Sequence, residues 1–228
     1  AFLWFRSDLV VAKQKIVHRL TSIHQKDLEN SVTSKLHASI SQYSNEDIGS
    51  IKTALLWAAF GNLIPAIFWT YYHLHLCPKA LEAVLYEINN QPFSLDDDDL
   101  LQAFPCLNSV IEETLRLKAN ALVLRECMQD IDLTMPGIDT KISLVEKDIV
   151  VLFPFALQAE EKLFPRANEF IYDRFLVGSP NEVSGSARRA HAPFGEGKFI
   201  CPGRYLGRNV LKLTLIAMLK QFEIQFSE

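Results

Sequence analysis

The sequence predicts a mainly α-helical protein with a small β part, and three features indicate this class. The stretch between Lys52 and Lys79 contains no Asp, Glu, Lys or Arg, which is typical of one long apolar helix. Short β-prone runs separated by turn signals such as Pro136-Gly137 lie between residues 121 and 153. The segment from Arg204 to Lys220 then has the composition and length of a final helix.

Composition and charge exclude several classes of protein. The chain has 228 residues, of which 49% are hydrophobic and 22% charged, so it is not a disordered or low-complexity protein. A net charge of -4 argues against a nucleic-acid partner. The cysteines form no Cys-x-x-Cys pair, which excludes a zinc ribbon and makes a disulfide framework unexpected. They are Cys77, Cys106, Cys127 and Cys201.

Helices are predicted throughout the first half of the chain. Residues 7–40 have an apolar helical rhythm. Ser44 is the expected N-cap of the long apolar helix, which continues to about Leu76 and ends before Pro78. The other predicted helical segments are Lys79–Asn90, an acidic opening over Ser94–Asp99, and Cys106–Lys118 with a buried face of Leu107, Val110, Ile111 and Leu115.

The second half of the chain begins with β-prone runs and becomes irregular. Its runs of β-branched residues and turn signals predict strands, loops and only the one final helix. The predicted strands are Ala121–Arg125, Ile131–Thr134, Lys141–Leu144 and Ile149–Phe153, with a further strand over Phe222–Phe226. Phe164–Phe175 is expected to be ordered but irregular, and Gly178–Arg189 is expected to be a loop.

The middle of the uncharged helix contains a candidate ligand site. Pro65 has no N–H to donate to the carbonyl of Gly61, so we expect a kink or widening there. Gly61 permits close approach of a ligand, and Asn62 offers a donor and an acceptor beside the freed carbonyl. An ordinary proline kink in a core helix remains an alternative. A membrane-spanning helix is the other, although Asn62, His73 and His75 would be costly in lipid.

The segment around Cys201 is the most informative part of the sequence. It reads Pro-Phe-Gly-Glu-Gly-Lys-Phe-Ile-Cys-Pro-Gly-Arg over residues 193–204, so one cysteine stands in a glycine-rich loop directly before a helix. Backbone N–H groups at a helix start favour a thiolate. Gly197 and Gly203 permit a tight bend around the sulfur, and Phe194 would shield one side of it.

This segment resembles the haem-ligand signature of the cytochrome P-450 family, Phe-x-x-Gly-x-basic-x-Cys-x-Gly. Phe194, Gly197, Cys201 and Gly203 occupy the matching positions. Phe199 departs from the pattern, because the family usually has Arg or His there, in contact with a haem propionate. The resemblance implies that Cys201 binds the iron of haem b as a thiolate.

Further motifs extend the resemblance over most of the chain. Glu113-Thr-Leu-Arg116 resembles the Glu-x-x-Arg motif of the family, and Arg174 stands where a second arginine joins that pair. Arg125 resembles an arginine that binds a haem propionate. The resemblance implies the C-terminal half of the family's fold, with residues 1–228 forming a partial domain that lacks the N-terminal half and the C-terminal tail.

Within the family, the chain looks most like the sterol 7α- and 12α-hydroxylases, the oxysterol 7α-hydroxylases and prostacyclin synthase. The resemblance is carried by Leu56-Trp57-Ala58, Gly61-Asn62, Ile64-Pro65, Phe68-Trp69, Tyr172-Asp173-Arg174 and the segment 200–204. It implies catalytic positions at Gly61 and Asn62, where most members of the family have an acid and a threonine.

Three functional hypotheses follow from the resemblance. We favour monooxygenation of a sterol-like lipid with electrons from a reductase, at an endoplasmic reticulum membrane reached through an anchor that is not in this chain. Peroxide rearrangement of the prostacyclin synthase type is the alternative reaction, since Leu63 follows Asn62. The third hypothesis is a non-catalytic fragment of such an enzyme.

Overall fold

The computed structural model describes residues 43–91, 103–119, 122–134 and 139–222. The helix predicted over 7–40, the opening at Ser94–Asp99, the turn at Pro136-Gly137 and all but the first residue of the strand at Phe222–Phe226 lie outside these ranges. The chain divides into two compact units, one up to Pro65 and one from Ala66 onward. The elements numbered below include only those in the described ranges.

Helix α1, Asn45–Leu76, begins where the sequence predicts it. The backbone N–H of Asp47 donates to Oγ of Ser44 over 3.2 Å, so Ser44 caps the helix. The helix continues through Pro65 as one element, and its residues up to Pro65 belong to the first unit. In the part of the chain that the structure describes, Asp47–Leu76 is the one segment that could cross a membrane by length and composition.

Helices α2, Pro78–Asn90, and α3, Pro105–Lys118, each have proline in the first turn, where its missing N–H has no cost. No side chain of the residue before α3 caps that helix. Instead, the two carboxylate oxygens of Glu87 in α2 accept the backbone N–H groups of Cys106 and Leu107 over 2.8 and 3.0 Å. A carboxylate at a helix N-terminus also interacts favourably with the helix dipole, so α2 fixes the start of α3.

The β part consists of two antiparallel pairs, one nested in the other along the chain. The outer pair is β1, Val123–Glu126, with β4, Ile149–Leu152, in the register Val123↔Leu152. The inner pair is β2, Ile131–Thr134, with β3, Lys141–Leu144, in the register Ile131↔Leu144. All four predicted strands are therefore present, with changes of one or two residues at the ends of the outer pair.

Two short helices correct the sequence-based assignment of the second half. Phe153 was predicted to end a strand, but it precedes α4, Pro154–Gln158, because Pro154 is suited to a first helical turn. The loop predicted over Gly178–Arg189 contains most of α5, Gly185–Ala190. The reason is Ser184, whose hydroxyl accepts the N–H of Ala187 over 3.2 Å and caps the helix.

The remaining elements follow the predictions more closely. Residues 164–175 contain turns and bends without a helix or strand, as expected of an ordered irregular segment. A short 3₁₀ turn, Gly197–Phe199, precedes the final helix α6, Arg204–Gln221. The last helix therefore extends one residue beyond its predicted end.

Helix α3 lies at the centre of the second unit, where it contacts α2, α4 and α6. Its predicted face is buried at Leu107, Val110 and Ile111, whereas Leu115 is half-buried. The same helix also buries polar side chains, and burial of that kind is stable only when the groups are hydrogen-bonded. They are Ser109, Glu113, Thr114 and Arg116.

Candidate functional site

Glu113 of α3 is fully buried and forms ion pairs with two arginines. Nε and Nη2 of Arg116, one turn later on α3, donate to its two carboxylate oxygens over 2.8 and 2.9 Å. Nε of Arg174 donates to Oε1 over 3.0 Å. The three side chains are at most 2% exposed, so one carboxylate and two guanidinium groups form a buried ion-paired cluster. The structure thus brings Arg174 to the Glu-x-x-Arg pair, as the sequence resemblance implies.

The same three side chains, here called the Glu113 network, also bind backbone. Oε1 of Glu113 accepts the N–H of Ile171 over 3.1 Å. Arg116 also donates to a backbone carbonyl of α4, and Arg174 donates to two backbone carbonyls in the segment that follows α4. These carbonyls belong to Gln158, Pro165 and Arg166, at 2.7, 2.8 and 3.1 Å. The irregular segment 164–175 is therefore held by side-chain hydrogen bonds in place of a helix or sheet.

The cysteine loop, residues 192–203, presents Cys201 just ahead of α6. The N–H of Cys201 donates to the carbonyl of Phe194 over 2.9 Å, which closes the loop on itself. Gly195 and Gly197 have φ of +72° and +67°, a region that strongly favours glycine. Cys201 is a free, partly exposed thiol. The structure thus brings together Phe194, Gly197 and Cys201, and it adds Gly195 as a second glycine on which the loop depends.

Gly203 has a different role from Gly197. It precedes α6 with φ of -84°, a backbone conformation that any residue can adopt. A Cβ added at Gly203 would lie 3.9 Å from Sγ of Cys201, in ordinary van der Waals contact. Gly203 is therefore close to the sulfur, as predicted, but the bend does not require glycine there.

Arg125 of β1 lies beside the residue that departs from the signature. Its guanidinium carbon is 4.8 Å from the ring centroid of Phe199, a cation–π distance. Nη1 of Arg125 also donates to the carbonyl of Leu124 over 2.8 Å. The structure therefore places Arg125 at the cysteine loop, with the Phe199 ring as its contact.

Gly61 and Asn62 are exposed residues of α1 in the first unit. Nδ2 of Asn62 donates to the carbonyl of Ala58 over 3.2 Å, one turn earlier on the helix. A Cβ at Gly61 would meet nothing within 4 Å in the described part of the chain, so there is room for close approach at this turn. The predicted polar position at Asn62 is therefore a solvent-facing amide with its donor engaged locally.

Sequence reasoning did not identify a second charged cluster beside the cysteine loop. Glu112, the neighbour of Glu113, accepts hydrogen bonds from His191 and Arg208. Burial would raise the pKa of the Glu112 carboxyl, but the hydrogen bonds from His191 and Arg208 lower that pKa to about 2. The sequence signal at this position was the pair of adjacent glutamates on α3, which does not reveal partners far away in the chain.

A comparison with models of protein families supplies the identification. The model described as Cytochrome P-450 matches residues 7–228, which is nearly the whole chain. The chain belongs to the cytochrome P-450 family. This family binds haem and ligates its iron with a cysteine thiolate.

Relatives within the P-450 family are similar to the chain over most of its length. It is 30% identical to cytochrome P-450 7B1 of Mus musculus, over 93% of this chain and 46% of that protein. It is 29% identical to cholesterol 7-alpha-monooxygenase of Cricetulus griseus, over 85% and 42% respectively. For 7-alpha-hydroxycholest-4-en-3-one 12-alpha-hydroxylase of Homo sapiens the identity is 28%, over 99% and 49%. The chain thus spans about half the length of these relatives.

The residues of the cysteine loop fit the cofactor of the P-450 family. Cys201 is free and lies directly ahead of α6, whose first-turn N–H groups have no partner within the helix and favour negative charge. Among the described residues, nothing lies within 4 Å of a Cβ added at Gly195 or Gly197, so the loop leaves space on that side. A single thiol in such a loop is the donor that a haem-thiolate site requires.

We predict that Arg116→Ala destabilises the full-length protein strongly. The substitution leaves the buried carboxylate of Glu113 with half of its ion-pair partners, and breaking a buried ion pair costs about 3–5 kcal/mol. Haem content after purification and the midpoint of thermal unfolding should both fall. The exposed Arg189 provides the control, because Arg189→Ala should change neither. Normal haem content in the Arg116→Ala protein would contradict the structural role of the network.

The C-terminal turns of α1 contain a histidine that should make the fold sensitive to acid. The ring of His73 stacks on Phe170 with centroids 4.6 Å apart and planes 5° from parallel. Its Nε2 is buried with no hydrogen-bond partner among the described residues. Burial, assisted by the charge of Lys118, lowers the pKa of His73 to about 4. The imidazole is therefore neutral in the folded protein at pH 7.

We predict that His73→Phe reduces the loss of stability on acidification. Between pH 6.5 and pH 4, the unfolded chain binds a proton at His73 that the folded protein does not, so stability falls as the pH falls through this window. Thermal midpoints at pH 7 and pH 5 should differ less in His73→Phe than in the wild type. Tyr86→Phe, an exposed change on α2, should keep the wild-type difference. An equal pH dependence in His73→Phe and the wild type would disprove the role of His73.

Proposed function

We propose that Cys201 is the axial ligand of a haem b iron, and that Phe194, Gly197 and Gly203 shape the loop around it. The observation that carries this proposal is the geometry of the loop. A free thiol lies between two glycines of positive φ and the start of α6, and its own N–H is bonded to the carbonyl of Phe194. The other cysteines lie in different surroundings, since Cys106 is buried in α3, where burial raises the pKa of its thiol to about 12.

Arg125 is proposed to pair with a carboxylate of the haem. The position of Phe199 in the signature is where the family usually has a cation, and here it is occupied by an aromatic ring. The contact between the Arg125 guanidinium and this ring supports the idea that β1 supplies the missing positive charge. Arginine suits this role because its planar group can bind a carboxylate with two parallel hydrogen bonds.

The reaction proposed for the full-length protein is monooxygenation of a sterol or a related lipid. Bound haem would supply the activation of dioxygen. The relatives support the substrate class, because their names include cholesterol 7-alpha-monooxygenase, 25-hydroxycholesterol 7-alpha-hydroxylase and a cholestenone 12-alpha-hydroxylase. These names describe those proteins. Their sequence identity of about 30% over most of this chain is the argument for proposing the same substrate class here.

Gly61 and Asn62 are proposed as the residues of α1 that face the reacting groups. Gly61 would permit close approach to the helix backbone, and the amide of Asn62 would hold a proton donor or water by hydrogen bonds. Nδ2 of Asn62 donates to the carbonyl of Ala58, and this bond fixes the orientation of the amide and of its Oδ1. An amide neither gains nor loses a proton near neutral pH, so the role of Asn62 would be to orient a group that carries the proton.

The domain organisation, partners and location proposed here follow from the family. Residues 1–228 would form part of one P-450 domain, whose length in the relatives is about twice that of this chain. Electrons would come from a reductase, and the substrate would be a lipophilic small molecule. Association with the endoplasmic reticulum membrane is proposed for the full-length protein.

We predict that Cys201→Ser abolishes the strongly red-shifted Soret band that the reduced full-length protein should show with carbon monoxide. Serine lacks the sulfur that produces this band, and its hydroxyl is a far weaker anion donor. The same change at the other cysteines provides a matched control, and Cys77→Ser, Cys106→Ser and Cys127→Ser should each keep the band. A thiolate band that persists in Cys201→Ser would overturn the ligand assignment.

The type of reaction is tested with Asn62→Ala. In a monooxygenase, loss of the amide should slow oxidation of cholesterol or 25-hydroxycholesterol while haem content stays unchanged, because Asn62 is proposed to act on protons and not on iron. The assay is sterol turnover with a reductase and dioxygen, for both proteins. Conversion of a lipid endoperoxide without reductase or dioxygen would instead establish the rearrangement alternative and contradict monooxygenation.

A further inference from the structure

The cluster of Glu112, His191 and Arg208 joins α3 to both ends of the cysteine loop. Nε2 of His191 lies 2.8 Å from Oε2 of Glu112. Nε of Arg208 donates to Oε1 over 2.5 Å, and its Nη2 donates to Oε2 over 3.2 Å. The side chains of Glu112, His191 and Arg208 are 18%, 7% and 27% exposed, so this ion pair is largely withdrawn from solvent. Partly buried, charge-assisted bonds of this kind are stronger than surface pairs.

The position of the two partners in the chain gives the cluster its significance. His191 is the residue immediately before the cysteine loop, and Arg208 lies in the second turn of α6 immediately after it. The residues between them include Cys201 and the whole loop. One carboxylate therefore bridges the two flanks of the loop and attaches both to the helix at the centre of the unit.

A second contact connects the cluster to the loop itself. The guanidinium carbon of Arg208 lies 4.4 Å from the ring centroid of Phe194, a cation–π distance. The carbonyl of Phe194 in turn accepts the N–H of Cys201. A continuous series of contacts therefore leads from Glu112 through Arg208 and Phe194 to the backbone of Cys201.

Glu112 and Glu113 serve different parts of the fold although they are neighbours. Adjacent residues of an α-helix point about 100° apart, as follows from 3.6 residues per turn. Glu113 is directed to Arg174 and the irregular segment, whereas Glu112 is directed to His191 and Arg208. A change at Glu112 can therefore alter the cysteine loop without removing a bond of the Glu113 network.

We propose that Glu112 is a positioning residue for the haem-ligand loop, which it holds through Arg208 and His191 so that Cys201 keeps its place. This role rests on the proposed function, because it requires Cys201 to be the axial ligand. A general contribution to stability would be a different role, since it would affect unfolding without a selective effect on the thiolate.

The test uses the full-length haem protein and compares Glu112→Gln with Glu182→Gln. Glutamine keeps the size of the side chain but removes the charge that holds Arg208. Glu182 also pairs with an arginine, Arg188, at 2.8 Å, and the side-chain hydrogen bonds found for these two residues in the described structure go to Gly178, Phe175 and each other. The readout is the thiolate Soret band of the reduced carbon monoxide complex, measured as the fraction of total haem and followed over time.

We expect the thiolate band of Glu112→Gln to decay about tenfold faster than that of the wild type, the effect of weakening one partly buried charged hydrogen bond. Glu182→Gln should decay at the wild-type rate. Arg208→Gln should also speed the decay, and the effect of the double variant should be well below the product of the two single effects, because both changes break the same Glu112–Arg208 ion pair.

Arg208→Lys keeps a cation for Glu112 but loses the planar group over Phe194. It should therefore give an intermediate decay rate even if Glu112→Gln folds poorly. A wild-type decay rate in Glu112→Gln or in Arg208→Gln, with the band present in the wild type, would overturn the role of Glu112 alone. Absence of the thiolate band from the wild-type protein would overturn the proposed function, and this role with it.

Discussion

The carboxylate of Glu113 is fully buried, and three N–H donors besides a backbone amide converge on its two oxygens. Such a charge is tolerated inside a protein only while every partner is in place. The partners come from α3 itself and from the irregular segment 164–175, so the network requires these two parts of the chain to meet. The segment lacks the regular backbone bonding that would order it otherwise. Its conformation therefore depends on the network as well as on its local backbone turns.

Helix α3 contacts both the irregular segment 164–175 and the flanks of the cysteine loop through two neighbouring glutamates. Glu113 orders the segment that precedes α5, while Glu112 attaches the flanks of the cysteine loop. The start of the same helix is fixed by Glu87 of α2. Three carboxylates thus position α3 and the elements around it, and the apolar contacts of Leu107, Val110 and Ile111 supply the burial. The thiol of Cys201 receives its position from this arrangement.

Much of the fold follows from local sequence signals, since these act between near neighbours. The cap at Ser44, the helices at Pro78 and Pro105, and the four strands were predictable on this basis, as was the pairing of Glu113 with Arg116 three residues later. The partners of Glu112 lie 79 and 96 residues away, and no pattern of spacing reveals them. The short helix α5 was missed because one capping bond from Ser184 decides it.

The most direct measurement of the dependence on Glu113 is native-state hydrogen exchange in the full-length haem protein. In the described part of the chain, the amide of Ile171 donates to the carboxylate of Glu113 over 3.1 Å. We predict that the Ile171 amide exchanges as slowly as amides in the middle of α3, because it opens only when the network is broken. Exchange as fast as that of an exposed turn amide such as Lys162 would contradict it.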